Sequence, residues 1–306
     1  MGEDAKQRWL VAGEEHAAVG VLEGCYRRDQ AAFGTVLGSA IALRLFLFII
    51  PAYVTIISFF NVLRLGSVFD DYLESSVVTS SMAVALKDSS WAHSLWIFIS
   101  FLFFTAWAGR SLARVLATTS GVSWALTLAD SKQRMSSMAA MVGVMFATVF
   151  AASIFNSIRQ ETGVAVHFVV WAAVLGCFAL AWFVATLTLP RGTTDPGALI
   201  PGALLFGAGY TILQWFMQFY LPRKIARTSD TFGQVATTIA TLGNFFFVGR
   251  LMSASFVFTA VLYEQHGSLS TPLFALPGVR RLPEKFPKLR TYFALDEEHG
   301  NTATEA

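Results

Sequence analysis

The sequence predicts an all-α fold, a polytopic membrane helix bundle with about six transmembrane helices and amphipathic interfacial helices. Three observations predict it. Apolar residues make up 55% of the 306 and charged residues only 14%, where a soluble globular chain carries roughly a quarter charged. The charges collect at the ends of apolar blocks. Six of those blocks are long enough for a hydrocarbon core about 30 Å thick, which needs roughly 20 helical residues rising about 1.5 Å each.

Taken in order, residues 1–30 alternate acidic and basic side chains with Trp9, Leu10, Val21, Leu22 and Tyr26, which suits a helix lying along the cytoplasmic interface. The first span, 35–63, carries Arg44 and Pro51; the proline denies the Leu47 carbonyl its usual donor and is expected to kink the helix. From Val68 to Leu86 apolar residues recur at roughly helical spacing, predicting an amphipathic helix that caps the external face. The second span, 92–113, and the third, 136–158 with Asn156, follow. The fourth, 166–189, has His167 at its start and Cys177 inside it. On the fifth, 198–221, Gln214 and Gln218 are four apart and share a helix face. The sixth, 235–263, carries Asn244 and Arg250. Gly202, Gly207 and Gly209 on the fifth and Gly243 and Gly249 on the sixth are expected to permit close helix contact. Together the spans form one transmembrane domain over 31–264. Pro272, Pro277, Pro283, Pro287 and the run Asp296-Glu297-Glu298 mark 265–306 as a flexible cytoplasmic tail.

Orientation follows from Lys and Arg, because basic loops are retained on the cytoplasmic face. With six spans the termini share a side, and that side holds fourteen basic residues against six opposite. Both termini are therefore expected in the cytoplasm. A formal net charge of +2 gives no general pull toward nucleic acid. Two cysteines, Cys25 and Cys177, make no disulfide framework and are expected as free thiols. Glu14, Glu15 and His16 stand where a lipoprotein signal before Cys25 would need an apolar core.

Arg44 and Arg250 fall inside spans, where an ionised side chain costs at least about 2.5 to 3.5 kcal/mol, so each must face protein or water. Helical rise puts Arg44 about 13 Å from the inner end of its span and Arg250 about 20 Å from the inner end of its own. No Asp or Glu lies within any span to pair with them. One reading is a shared cavity in the inner half that holds an anion such as a lipid phosphate. The other is that Arg44 snorkels to the interface and Arg250 satisfies backbone carbonyls or neighbouring amides. Gln214, Gln218, Asn244 and Asn156 complete the candidate path, although interhelical hydrogen bonding accounts for such amides equally well. A titrating proton relay would need a buried acid or His, and His167 sits at a helix end.

At the fifth and sixth spans the chain resembles the YihY/BrkB family of bacterial inner-membrane proteins. The resemblance rests on Pro201-Gly202-Ala203-Leu204-Leu205, on Phe232-Gly233 where the family favours Tyr-Gly, and on Ala260-Val261-Leu262. The first span, with Ala42-Leu43-Arg44-Leu45-Phe46-Leu47-Phe48 and Pro51, is similar to the family's opening span. The likeness covers about residues 30 to 265 and implies a six-helix inner-membrane protein, with lipid or envelope transport as one suggestion. Asn244 and Phe246 stand where the family commonly has aromatics, Val257 where it has Glu, and Thr259 where it has Asn.

The family has carried a ribonuclease label, yet phosphodiester hydrolysis needs a metal cluster or a positioned acid and base. His16, His93, His167, His266 and His299 are scattered, and no two are spaced as metal ligands. The sequence offers no nucleotide-binding loop, no nucleophile and base pair, and no cofactor motif. An enzyme is not expected. The leading expectation is a transporter or flippase-like protein for an amphipathic substrate, anionic if Arg44 and Arg250 face it, with membrane lipids as partners. The alternative is a non-transporting scaffold in envelope assembly. The small residues of the last two spans would serve an internal interface or a homo-oligomer equally well.

Overall fold

The computed structural model describes residues 17–63, 91–127, 139–140, 142–144, 164–219, 221–270 and 293, and among them there is no strand. The elements in chain order are α1 (Ala17–Ala31), α2 (Gly34–Val62), α3 (Trp91–Ser123), α4 (Val164–Leu187), a 3-10 turn (Pro196–Leu199), α5 (Ile200–Phe219) and α6 (Leu221–His266). Four segments among the described residues are long and apolar enough to cross a membrane: Gly34–Val62, Trp91–Ser123, Pro196–Met217 and Thr241–His266. The expected amphipathic helix at 68–86 and most of the third span lie outside the described residues, as do 1–16.

α2 and α3 run antiparallel, as do α4 and α5, α5 and α6, and α2 and α6. α2 packs along α3, α4 along α5, and α6 packs against α1, α2 and α5. The start of α2, the ends of α3, α4 and α6, and the start of α5 therefore gather at one end, beside α1. The core between them is apolar, with Ile41, Phe48, Leu112, Leu116, Trp182 and Ala185 all nearly inaccessible. Outward-facing positions are also apolar, as on Phe103, Trp107, Leu180 and Ile212, which is the pattern of a helix surrounded by lipid rather than water.

Small residues set how close the helices come. A Cβ at Gly249 of α6 would lie 2.3 Å from the Gly38 carbonyl oxygen and 2.8 Å from the Ala42 nitrogen on α2. A Cβ at Gly202 of α5 would lie 1.9 Å from Thr259 Oγ1 on α6. Both crossings bring backbones into contact, as small-residue packing in membranes does. Among the described residues, a Cβ at Gly243 would meet nothing within 4 Å.

Several polar side chains inside the bundle find partners, while buried Ser58 Oγ and Ser123 Oγ have none among the described residues. Thr55 Oγ1 donates to the Pro51 carbonyl at 2.8 Å and lies 3.0 Å from Thr105 Oγ1, joining α2 to α3. Trp182 Nε1 donates to Ser255 Oγ at 2.9 Å across α4 and α6. The helix continues through Pro51 without a break. At the start of the α5 segment buried Asp195 caps the 3-10 turn, accepting from Gly197 N at 2.8 Å and from Ser270 Oγ at 2.7 Å. Ser270 follows α6, so the first residues of the expected flexible tail are tied down; the remainder, apart from Phe293, lies outside the described residues.

Candidate functional site

A cavity of about 230 Å³ opens between α2, α4, α5 and α6. Its walls are mainly aromatic and aliphatic, including Phe48, Phe178, Trp182, Phe206 and Phe245. The rings form a ladder: Trp182 stacks on Phe206 with centroids 4.5 Å apart, Phe206 on Tyr210 at 5.8 Å, and Phe178 lies 4.3 Å from Tyr210. Four polar side chains reach the walls: Tyr53, Tyr210, Gln214 and Asn244. Gln214 Nε2 donates to Tyr210 Oη at 2.7 Å. Asn244 makes no hydrogen bond among the described residues, so its amide is available to an occupant. Among the described residues, the lining carries neither Arg, Lys, Asp nor Glu. Such a space accepts an apolar body with one or two neutral hydrogen-bonding groups. Its size is slightly below the roughly 300–1,000 Å³ of small-molecule pockets, enough for part of an acyl chain or ring.

Arg250 is elsewhere. Its Nη1 and Nη2 donate to Asp29 Oδ1 and Oδ2 at 2.9 and 2.7 Å, a bidentate pair in which the side chains are 30% and 16% exposed. The expectation that it lacks an acidic partner is thus corrected: the carboxylate comes from α1, outside the spans. α1 reaches it by packing on the end of α6, where Val21 meets Val257 and Val261. Gln265 Nε2 donates to the Gly20 carbonyl, and Arg28 Nη1 donates to Glu264 Oε1 at 2.7 Å and to the Ser123 carbonyl at 3.1 Å. Gly34 and Gly38 make the room, because a Cβ there would come within 2.8 Å of Arg250 Nη1 and 2.9 Å of its Cδ.

Arg44 occupies a third place. It lines a groove of about 110 Å³ between α2 and α3 with Leu47, Pro51, Phe104, Trp107, Ala108 and Ser111. Among the described residues, no cavity shared by Arg44 and Arg250 is formed. At about 100° per residue, six residues turn Arg44 about 120° around α2 from Gly38, which faces Arg250. Of the sequence-predicted path, Gln214 and Asn244 meet in one cavity, while Arg250 and Arg44 do not join them. Gln218 falls on α5 but its side chain lies outside the described residues, as does Asn156.

Asp29 and Asp195 were not expected to matter. Asp195 had a readable signal, since Asp followed by Pro is a common start of a helix. Asp29 had none, its partner being 221 residues away. Both cysteines are free. Among the described residues no group of His, Cys, Asp or Glu could hold a metal ion. Comparison with family models, curated proteins and solved structures gave no match.

Proposed function

We propose that this chain is a flippase-like transporter that takes the apolar part of an amphipathic, lipid-like molecule into the cavity between α2, α4, α5 and α6. The observation that carries the reading is a mid-bundle space walled by aromatic rings, with neutral amide and phenol groups at its edge. Arg250 is engaged by Asp29 and contributes no charge to that space, so the portion of the substrate bound there is uncharged. We further propose the bacterial inner membrane with both termini cytoplasmic, in keeping with the distribution of Lys and Arg and with the resemblance to the YihY/BrkB family.

The clasp of α1 on α6 favours a second reading, a scaffold whose buried charges serve only to hold helices together. The two readings separate in liposomes. Purified protein is expected to accelerate transbilayer movement of a fluorescent short-chain phospholipid, scored by chemical quenching of the outer leaflet. Ala181→Trp, which fills the cavity from α4, is expected to slow that movement at least tenfold. No acceleration by the wild-type protein would leave the scaffold; equal rates for the variant would remove the cavity from the path.

A further inference from the structure

The groove between α2 and α3 has no role in the transport reading and does not depend on it. It combines two features that rarely share a membrane-facing surface. Leu47, Phe104 and Trp107 expose 45%, 52% and 66% of their surface, and beside them Arg44, half-buried, makes no ion pair or hydrogen bond among the described residues. An arginine in a span normally finds a carboxylate, a carbonyl or an anion, as Arg250 does.

A second arginine lies at the same level. Thr55 meets Thr105 and Phe59 meets Phe98 across the antiparallel pair, and counting back along both helices from these contacts brings Arg44 level with Arg114. Trp107, Ser111 and Arg114 recur at four and three residues and so form one stripe of α3. Arg114 is exposed and also unpaired among the described residues. Both arginines stand about 15 Å of helix rise from the α1 end of helices that exceed a 30 Å core, within side-chain reach of one headgroup layer.

We infer that Arg44 and Arg114 bind the phosphate of an anionic phospholipid, with Ser111 as a neutral donor and an acyl chain lying along Leu47, Phe104 and Trp107. Two guanidiniums fit a phosphodiester well because each offers a planar fork of donors. The apolar groove runs from them toward the bilayer centre, the direction a lipid chain takes from its headgroup. A free anion would use the arginines but leave the groove empty; a zwitterionic lipid would bring an ammonium against them.

Native mass spectrometry of the full chain, released from detergent with phosphatidylglycerol or phosphatidylcholine of identical chains, tests the site. The wild type is expected to retain phosphatidylglycerol preferentially. Arg44→Gln and Arg114→Gln are each expected to weaken that retention about fivefold, the fold-change equivalent to roughly 1 kcal/mol per arginine near an anionic headgroup. Arg44→Lys should restore most of it, and Arg27→Gln on α1 should change nothing. Thermal unfolding run in parallel identifies a misfolded variant, and Arg114→Gln, at an exposed position, reads the site if Arg44→Gln unfolds. Equal retention of the two lipids by the wild type, or unchanged retention in the glutamine variants, would overturn the site. Displacement of phosphatidylglycerol by millimolar inorganic phosphate would overturn the lipid as occupant.

Discussion

Arg44 on α2 and Arg250 of α6 sit at different faces of α2, and their surroundings differ in kind. Arg250 enters a crossing where glycines bring α2 and α6 together and Asp29 meets its guanidinium with two hydrogen bonds. Arg44 looks outward into a shallow groove of exposed aromatics, with no partner among the described residues. An intramembrane charge is therefore no single signal. In the first place it closes the protein on itself, and in the second it leaves a demand that no described residue meets.

The contrast can be broken most strongly at Asp29. Asp29→Asn leaves a largely buried guanidinium without its counter-charge and is expected to cost about 2 kcal/mol, within the range of hydrogen bonds to charged groups. That is less than the roughly 3–5 kcal/mol of a fully buried pair, because Arg250 keeps 30% of its side chain exposed. Adding Arg250→Met removes the stranded charge and should bring stability back to within about 1 kcal/mol of the wild type. Arg44→Gln strands nothing and should stay within about 0.5 kcal/mol. Denaturation of the four proteins in detergent checks the order; an Arg44 variant as damaged as the Asp29 variant would erase the distinction.

A smaller effect sharpens the same picture at α1. Burial raises the Cys25 thiol above its usual range, and the negative charge of Asp29 raises it further. Thiolate is the reactive form, so alkylation of Cys25 should set in at higher pH than for an exposed thiol. Asp29→Asn removes only the second cause and should move the midpoint of the rate against pH downward. An unmoved midpoint would mean that α1 does not hold Asp29 beside Cys25.

Much of the helical framework is legible in the sequence, because apolar length is a local property. The span expected at 35–63 is α2, Gly34–Val62, and the one expected at 198–221 contains α5. Helices outrun the expected spans where charge marks the span boundary. α3 runs ten residues past the expected end at 113 because Leu116, Ala117, Thr119 and Ser120 stay buried while Arg114 points outward. α6 starts at Leu221 instead of 235, since a charged segment continues a helix as readily as it ends one. For the site, Gln214 and Asn244 were found because polar residues in apolar spans are few. Their separation from Arg250 was hidden by the long-range pairing with Asp29, which leaves no periodicity in the chain. The different faces of α2 that hold Arg44 and meet Arg250 could not be read either, as they depend on which side of α2 receives α6.

The central claim is that the uncharged cavity, and not the arginines, is the path. It is tested most directly by a single cysteine at position 244, replacing Asn244 in a background lacking Cys25 and Cys177, exposed to a small water-soluble thiol reagent in liposomes. Labelling that Ala181→Trp suppresses is the predicted result. A thiol that stays inert in the otherwise unaltered protein, while remaining reactive after denaturation, would contradict it.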